Sequence, residues 1–209
     1  MRLPFERDYA RRLVRSIPAL LVASRFVLGP ALFLSAARGR TGAWFLLGIV
    51  AAFLSDVYDG ILARRLGVAT ERLRVADSWT DAVFYFWIAT SAWMAHPAVI
   101  RRFLLPLMVV LGIQFSSWAI DLVKYHRIAT FHTYTAKAWG ATLFAATLAL
   151  FFLDDARVFL WLALVFGIIS NIEGIAIKLL LPSWKHDVPS FWQALRLRRA
   201  EGAVNRSRS

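Results

Sequence analysis

Six long apolar runs, separated by short polar breaks, make up most of this sequence. They cover roughly residues 17–37, 42–64, 75–95, 99–123, 134–153 and 156–181. Each run has about twenty residues, and a helix that rises about 1.5 Å per residue then crosses a hydrocarbon core of about 30 Å. The pattern therefore predicts an all-α, polytopic membrane protein with six transmembrane helices.

Polar segments flank the apolar runs at both ends of the chain. Residues 1–15 combine five arginines with apolar side chains at roughly helical spacing, which predicts an amphipathic helix lying on the membrane surface. Residues 16–182 are then expected to form one transmembrane domain, and residues 183–209 a basic cytoplasmic tail. The aromatic side chains of this tail suit the headgroup region of a bilayer: Trp184, Phe191 and Trp192.

Composition and charge further narrow the class of protein and indicate its membrane topology. The chain is 59% hydrophobic and carries a net charge of +12, which in a membrane protein indicates topology and contact with anionic lipid rather than nucleic-acid binding. It has no cysteine, so disulfide frameworks and thiolate metal sites are excluded. With six spans, the segments on the side of the termini hold 19 lysines and arginines and the opposite loops hold five. The positive-inside rule then predicts cytoplasmic termini in a cell (inner) membrane.

Four aspartates lie at the end of the second apolar run and the start of the third. Asp56 and Asp59 are three residues apart, and Asp77 and Asp81 are four apart, so each pair shares one face of a helix. An unpaired carboxylate beside apolar segments costs free energy. Two facing pairs would form an oxygen-ligand cage for one or two hard divalent cations such as Mg²⁺.

Small and cationic residues follow the first pair of aspartates. Because Gly60 has no side chain and Ala63 has only a methyl group, a ligand or a backbone segment can approach that helix surface closely. Arg64 offers a forked donor that suits a phosphate group.

These residues carry a resemblance to a known family. D-x-x-D-G-x-x-A-R over 56–64, followed after twelve residues by D-x-x-x-D over 77–81, resembles the signature of the class I CDP-alcohol phosphotransferases. One position differs, because Leu73 stands where the family has a second glycine. The first span is also similar to the family's opening P-N-x-x-T-x-x-R, with Pro18 and Arg25 matching. The Asn and Thr positions are Ala19 and Val22 here.

The resemblance implies an activity and a role for each residue. A phosphatidyl group would move from CDP-diacylglycerol to an acceptor hydroxyl, or a phospho-alcohol from a CDP-alcohol, with CMP leaving. Asp56, Asp59 and Asp77 would hold Mg²⁺ or Mn²⁺, with two ions expected, and Asp81 would act as general base and also contact a metal. The cytidine and pyrophosphate would lie against Gly60, Ala63 and Arg64, with Asp56 and Asp77 close by. A homodimer would also fit this family.

Three cations outside the motif are candidate ligands for an acceptor or lipid phosphate. Arg25 lies within the first span, where it either reaches an anionic substrate or extends to the headgroups. Arg127 and Lys137 lie in or beside the polar break before the fifth span and either form a cationic pocket or face solvent. Glu173, inside the sixth span, either bonds to a neighbouring helix or orients Arg64 or Lys137.

The sequence thus predicts a metal-dependent enzyme of phospholipid synthesis. Glycerol 3-phosphate or inositol phosphate suits the predicted cationic pocket, while serine or a second lipid remains open as acceptor. Two alternatives stay open: a catalytically silent family member, and a cation transporter that uses the same carboxylates. Leu73 fits either a subgroup with a shifted nucleotide position or a weakened enzyme.

Overall fold

The computed structural model describes residues 4–126, 133–153, 155–183 and 188–206, with α-helices as the regular structure in those ranges. The helices are α1 (Pro4–Ala37), α2 (Ala43–Arg65), α3 (Glu71–Ala95), α4 (Pro97–Arg102), α5 (Leu104–Tyr125), α6 (Tyr134–Phe152), α7 (Arg157–Leu180) and α8 (Phe191–Arg206). The predicted all-α fold is confirmed.

Five helices in the described ranges are long and apolar enough to cross a membrane: Val14–Ala37 of α1, and α2, α5, α6 and α7. A multi-pass membrane protein is therefore confirmed, but the count of six spans is not. The third predicted span is a helix, α3, whose first half carries Glu71, Asp77 and Asp81 among other polar residues. These charges lower its hydropathy, so length and composition alone do not identify α3 as a span.

Two predicted boundaries differ from the structure. Helix α1 continues without a break from Pro4 to Ala37, so a separate surface helix over 1–15 is not confirmed. The fourth predicted span begins as the short helix α4, and the chain bends at Phe103 before α5. Pro106 accounts for this break, because it has no N–H for the carbonyl of Arg102 and its ring clashes with that carbonyl in a continuous helix.

The chain divides into two compact units, Met1–Pro97 and Ala98–Ser209. In the N-terminal unit, α1 packs against both α2 and α3. Gly29 of α1 allows the close approach to α3, because a Cβ atom at Gly29 would lie 2.8 Å from Cδ1 of Trp87. The Phe33 and Trp87 rings continue this contact, with centroids 5.1 Å apart. Helix α1 is therefore the element that positions the other two helices of this unit.

In the C-terminal unit, α7 packs against α5, α6 and α8. Phe103, Val110 and Leu164 form one apolar cluster between these helices. A buried ion pair joins α5 to α7, since Nζ of Lys178 lies 2.6 Å from Oδ2 of Asp121 and also donates to the hydroxyl of Ser117 at 2.6 Å. Lys178 is 3% exposed and Asp121 is fully buried, so this contact lies in the core of the unit.

Candidate active site

The four motif aspartates are placed by two helices of the N-terminal unit. Asp56 and Asp59 lie in the last three turns of α2, and Asp77 and Asp81 lie in the first half of α3. Asp59 continues the buried stripe of α2 that includes Ala52 and Ala63. The side chain of Asp56 is 44% exposed and that of Asp59 is 5% exposed, so the site extends from the buried face of α2 to an accessible surface.

The carboxylates of the two pairs come together, as the family motif implies. One carboxylate oxygen from each of Asp56, Asp59 and Asp77 lies within 4.8 Å of the other two. Oxygen ligands at such separations suit a hard divalent cation, and Mg²⁺ is bound in proteins through carboxylates of this kind. The donor set therefore fits the predicted metal, and these three side chains could hold it.

Arg25 lies at the centre of the cluster and contacts all four aspartates. Its Nη1 donates to Oδ1 of Asp56 at 2.8 Å and to Asp81, and its Nη2 donates to Oδ1 of Asp77 at 2.5 Å and to Asp59. The Arg25 side chain is 1% exposed. One guanidinium, carried by α1, thus bridges the carboxylate pair of α2 and the carboxylate pair of α3.

The formal charges of the cluster are not balanced by Arg25. Four carboxylates face one guanidinium, so the formal charge of the cluster remains negative. A negative cluster of this kind attracts further cations. Each aspartate accepts a hydrogen bond from Arg25 through one carboxylate oxygen, and carboxylates are the ligands through which proteins bind Mg²⁺.

The other motif residues lie next to the cluster on α2. The Arg64 guanidinium lies over Gly60, because a Cβ atom there would be 3.3 Å from Nη1 of Arg64. Ala63 is buried and Arg64 is exposed. Leu73 is half-buried in the first turn of α3, where its N–H donates to Oγ1 of Thr70 at 3.2 Å. Since Leu73 precedes Asp77 by four residues, its side chain lies on the same face of α3.

Two of the cations that the sequence assigned to an acceptor phosphate are described by the structure, each in its own unit of the chain. Arg25 contacts the aspartates, and Lys137 is exposed in the first turn of α6 with Nζ 5.7 Å from the centre of the Tyr134 ring. Arg127 lies outside the described residues. Their role toward an acceptor stays a prediction.

Glu173 bonds to neighbouring helices, which is one of the two alternatives that the sequence offered. It accepts hydrogen bonds from the hydroxyl of Thr135 and, at 3.0 Å, from the N–H of Phe191. It therefore joins α7 to the starts of α6 and α8.

Two buried charges in the C-terminal unit were missed at the sequence level. These are Asp121 and Lys178, which are buried against each other. A lysine inside an apolar helix is the signal that could have found this pair, because such a charge requires a partner. By contrast, Asp155 lies in an exposed break, where the adjacent Arg157 lowers the pKa of its carboxyl to about 2.

Comparison with known proteins agrees with the motif. No curated protein and no solved structure matches the chain. The sequence profile of the CDP-alcohol phosphatidyltransferase family matches residues 15–169, which is more than half of the 209 residues and includes Arg25 and the four clustered aspartates. The chain belongs to the CDP-alcohol phosphatidyltransferase family.

Proposed function

We propose that this protein is a membrane enzyme that transfers a phosphatidyl group from CDP-diacylglycerol to the hydroxyl of a small alcohol, with release of CMP. The observation that carries the proposal is the convergence of Asp56, Asp59, Asp77 and Asp81 at one cluster in a chain that belongs to this family. We place the active site and both termini on the cytoplasmic side, because lysine and arginine are concentrated in the segments on that side.

The family resemblance, together with the positions of the residues, supports a role for each of them. Asp56, Asp59 and Asp77, with a contribution from Asp81, would hold Mg²⁺ or Mn²⁺, which would supply charge stabilisation to the pyrophosphate as CMP leaves. Asp81 is 33% exposed at its side chain, so an incoming hydroxyl can approach it and give up its proton to the carboxylate. Arg64 faces Gly60 on the exposed part of α2, where it can donate two parallel hydrogen bonds to a phosphate.

We infer an anionic polyol phosphate as the acceptor, with glycerol 3-phosphate and inositol phosphate as the first candidates. The exposed ammonium group of Lys137 supports this choice, and the sequence places Arg127 in the preceding segment. Cations bind the phosphate of such an acceptor more strongly than they bind an uncharged alcohol.

A test uses the purified full-length protein, radiolabelled CDP-diacylglycerol, Mg²⁺ and a panel of alcohols. We expect CMP release that depends on the divalent ion and on one acceptor, together with a labelled lipid product. Lys137→Ala should raise the KM for that acceptor more than the KM for CDP-diacylglycerol. Equal effects on both constants would count against the cationic pocket but not against the transfer reaction.

The same preparation separates the other two interpretations of the cluster. Binding of CDP-diacylglycerol with no turnover for any acceptor would indicate a catalytically silent member of the family. Uptake of a divalent cation into proteoliposomes without CMP release would indicate a transporter.

A further inference from the structure

Helix α8 presents a stripe of exposed aromatic and basic side chains, which we call its outer face. Trp192, Arg196 and Arg199 recur at intervals of four and three residues, which places them on one side of the helix. Trp192 is 73% exposed, and both arginines are exposed. Such a combination is typical of a helix that lies in the interface of a bilayer.

The opposite side of α8 is already covered by its own chain. Ala194 is fully buried with Ile177, Leu181 and Val188, and Phe191 and Leu197 pack against this cluster. The inner face therefore docks on the end of α7, which leaves the outer face as the surface available to a partner.

Hydrogen bonds fix the start of α8 beside the start of α6 and the last third of α7. Glu173 of α7 accepts from the N–H of Phe191 at 3.0 Å, and the carbonyl of Pro189 accepts from the N–H of Tyr134 at 3.2 Å. Tyr134 begins α6, and α7 ends at Leu180; both helices are long and apolar enough to span a membrane. The first turn of α8 consequently lies where these helices leave the apolar part of the bilayer.

We propose that the outer face of α8 binds the headgroups of anionic phospholipids at the membrane surface. The charge is complementary, since Arg196 and Arg199 meet phosphate and acidic headgroups there, and each arginine near an anionic surface strengthens binding by about fivefold. The Trp192 ring places its apolar part against the acyl boundary and its N–H toward the headgroups. This binding surface is independent of the transfer reaction proposed above.

The absence of cysteine from the chain allows a single-label test on the full-length protein. Trp192→Cys is labelled with a fluorophore and reconstituted into phosphatidylcholine vesicles, with or without phosphatidylglycerol. Brominated lipid and aqueous iodide report whether the label contacts lipid or water. We expect the label to contact lipid in the anionic vesicles. When Arg196→Gln and Arg199→Gln are added, the equilibrium between lipid-contacting and water-exposed positions should shift by roughly 25-fold toward water.

The matched control replaces two exposed arginines elsewhere, Arg101→Gln and Arg102→Gln in α4, which should leave the label unchanged. Thermal unfolding of each variant checks that the fold of the protein is unchanged. Exposure of the label to iodide in both kinds of vesicle would overturn the proposal, as would equal lipid contact with and without phosphatidylglycerol. Protection in native membranes but not in either vesicle would assign the outer face to a protein partner instead.

Discussion

At the scale of single residues, Arg25 offsets part of the negative charge of the acidic cluster. It contacts four carboxylates from two helices and is almost wholly buried. A carboxylate cluster with no cation would repel itself at these separations. A bound metal ion and the Arg25 guanidinium therefore offset the same carboxylate charges. If one of the two cations is lost, the folded protein should depend more on the other.

Arg25→Ala should destabilise the metal-free protein and make it depend on Mg²⁺. Removing one partner of a buried ionic group costs about 3–5 kcal/mol, and we expect about 3 kcal/mol, because the side chains of Asp56 and Asp81 are 44% and 33% exposed and water screens part of the repulsion. Thermal unfolding with and without Mg²⁺ measures the effect, and Mn²⁺ binding followed by electron paramagnetic resonance measures affinity directly.

Arg65→Ala, at the exposed end of α2, is the control for the loss of an arginine. If Mg²⁺ raised the unfolding temperature of wild type and Arg25→Ala equally, the guanidinium and the metal would not compensate the same charges.

Asp81→Asn should remove turnover while the protein still binds the nucleotide. The amide keeps the size of the carboxylate but cannot accept the proton of the acceptor hydroxyl, and a general base contributes about 100-fold or more to the rate. CMP release measures the rate, and stabilisation by CDP measures binding.

Asp155→Asn is the matched control, because that carboxylate is exposed and pairs with Arg157. Near-normal CMP release by Asp81→Asn would exclude Asp81 as the base. Loss of CDP binding would show instead that this side chain helps to hold the nucleotide.

The sequence predicted the acidic cluster but not the position of Arg25 within it. The spacings of Asp56 to Asp59 and of Asp77 to Asp81 fix each pair on a helix face, and the family motif indicates that the two faces meet. The placement of Arg25 depends on how α1 packs against the other two helices, which local periodicity does not encode. From its position in an apolar span, the sequence offered Arg25 an anionic substrate or the lipid headgroups, and not the motif aspartates.

At the scale of helices, close packing of α1 against α3 holds the two sides of the site together. Gly29 follows Arg25 by one turn of α1, and Trp87, which covers Gly29, lies on the helix that carries Asp77 and Asp81. The sequence predicted both helices, whereas the contact between them could not be inferred from apolar spacing alone.

Gly29→Ala should therefore lower both stability and activity. The added Cβ would lie 2.8 Å from a rigid indole ring, and such overpacking costs about 1–3 kcal/mol. Gly112→Ala is the control, since among the described residues no atom beyond the chain neighbours and the helix's own backbone lies within 4 Å of a Cβ at that position. Thermal unfolding and CMP release measure the two effects, and equal values for the two variants would show that α1 and α3 can separate without loss.

The Lys178–Asp121 pair should act as a structural link between α5 and α7. Lys178→Met leaves Asp121 buried without its ammonium partner and should cost about 3–5 kcal/mol, whereas the double variant Lys178→Met, Asp121→Leu should recover most of that loss. Thermal unfolding of the two single variants and the double variant measures the coupling. Lys137→Met, at an exposed lysine, is the control, and additive losses would mean that the two charges do not interact.

At the scale of the whole molecule, the path of the chain through the membrane depends on α3. Five helices in the described ranges qualify as spans by length and composition, and α3 does not, because its first half carries the charges of the acidic cluster. Hydropathy cannot recognise such a helix, since it scores a carboxylate paired with Arg25 as if it faced lipid. If α3 crosses the membrane, the sequence-based count of six spans holds and the two termini share one side.

Single-cysteine labelling decides between the two paths. Ala69→Cys lies just before α3 and Ala98→Cys just after it, both at exposed positions, and the chain has no other cysteine. We expect a membrane-impermeant maleimide to label Ala69→Cys from the cytoplasmic side and Ala98→Cys from the opposite side, because the 25 residues of α3 are long enough to cross a core of about 30 Å. Labelling of both positions from one side would place α3 at the surface, and the termini would then lie on opposite sides of the membrane.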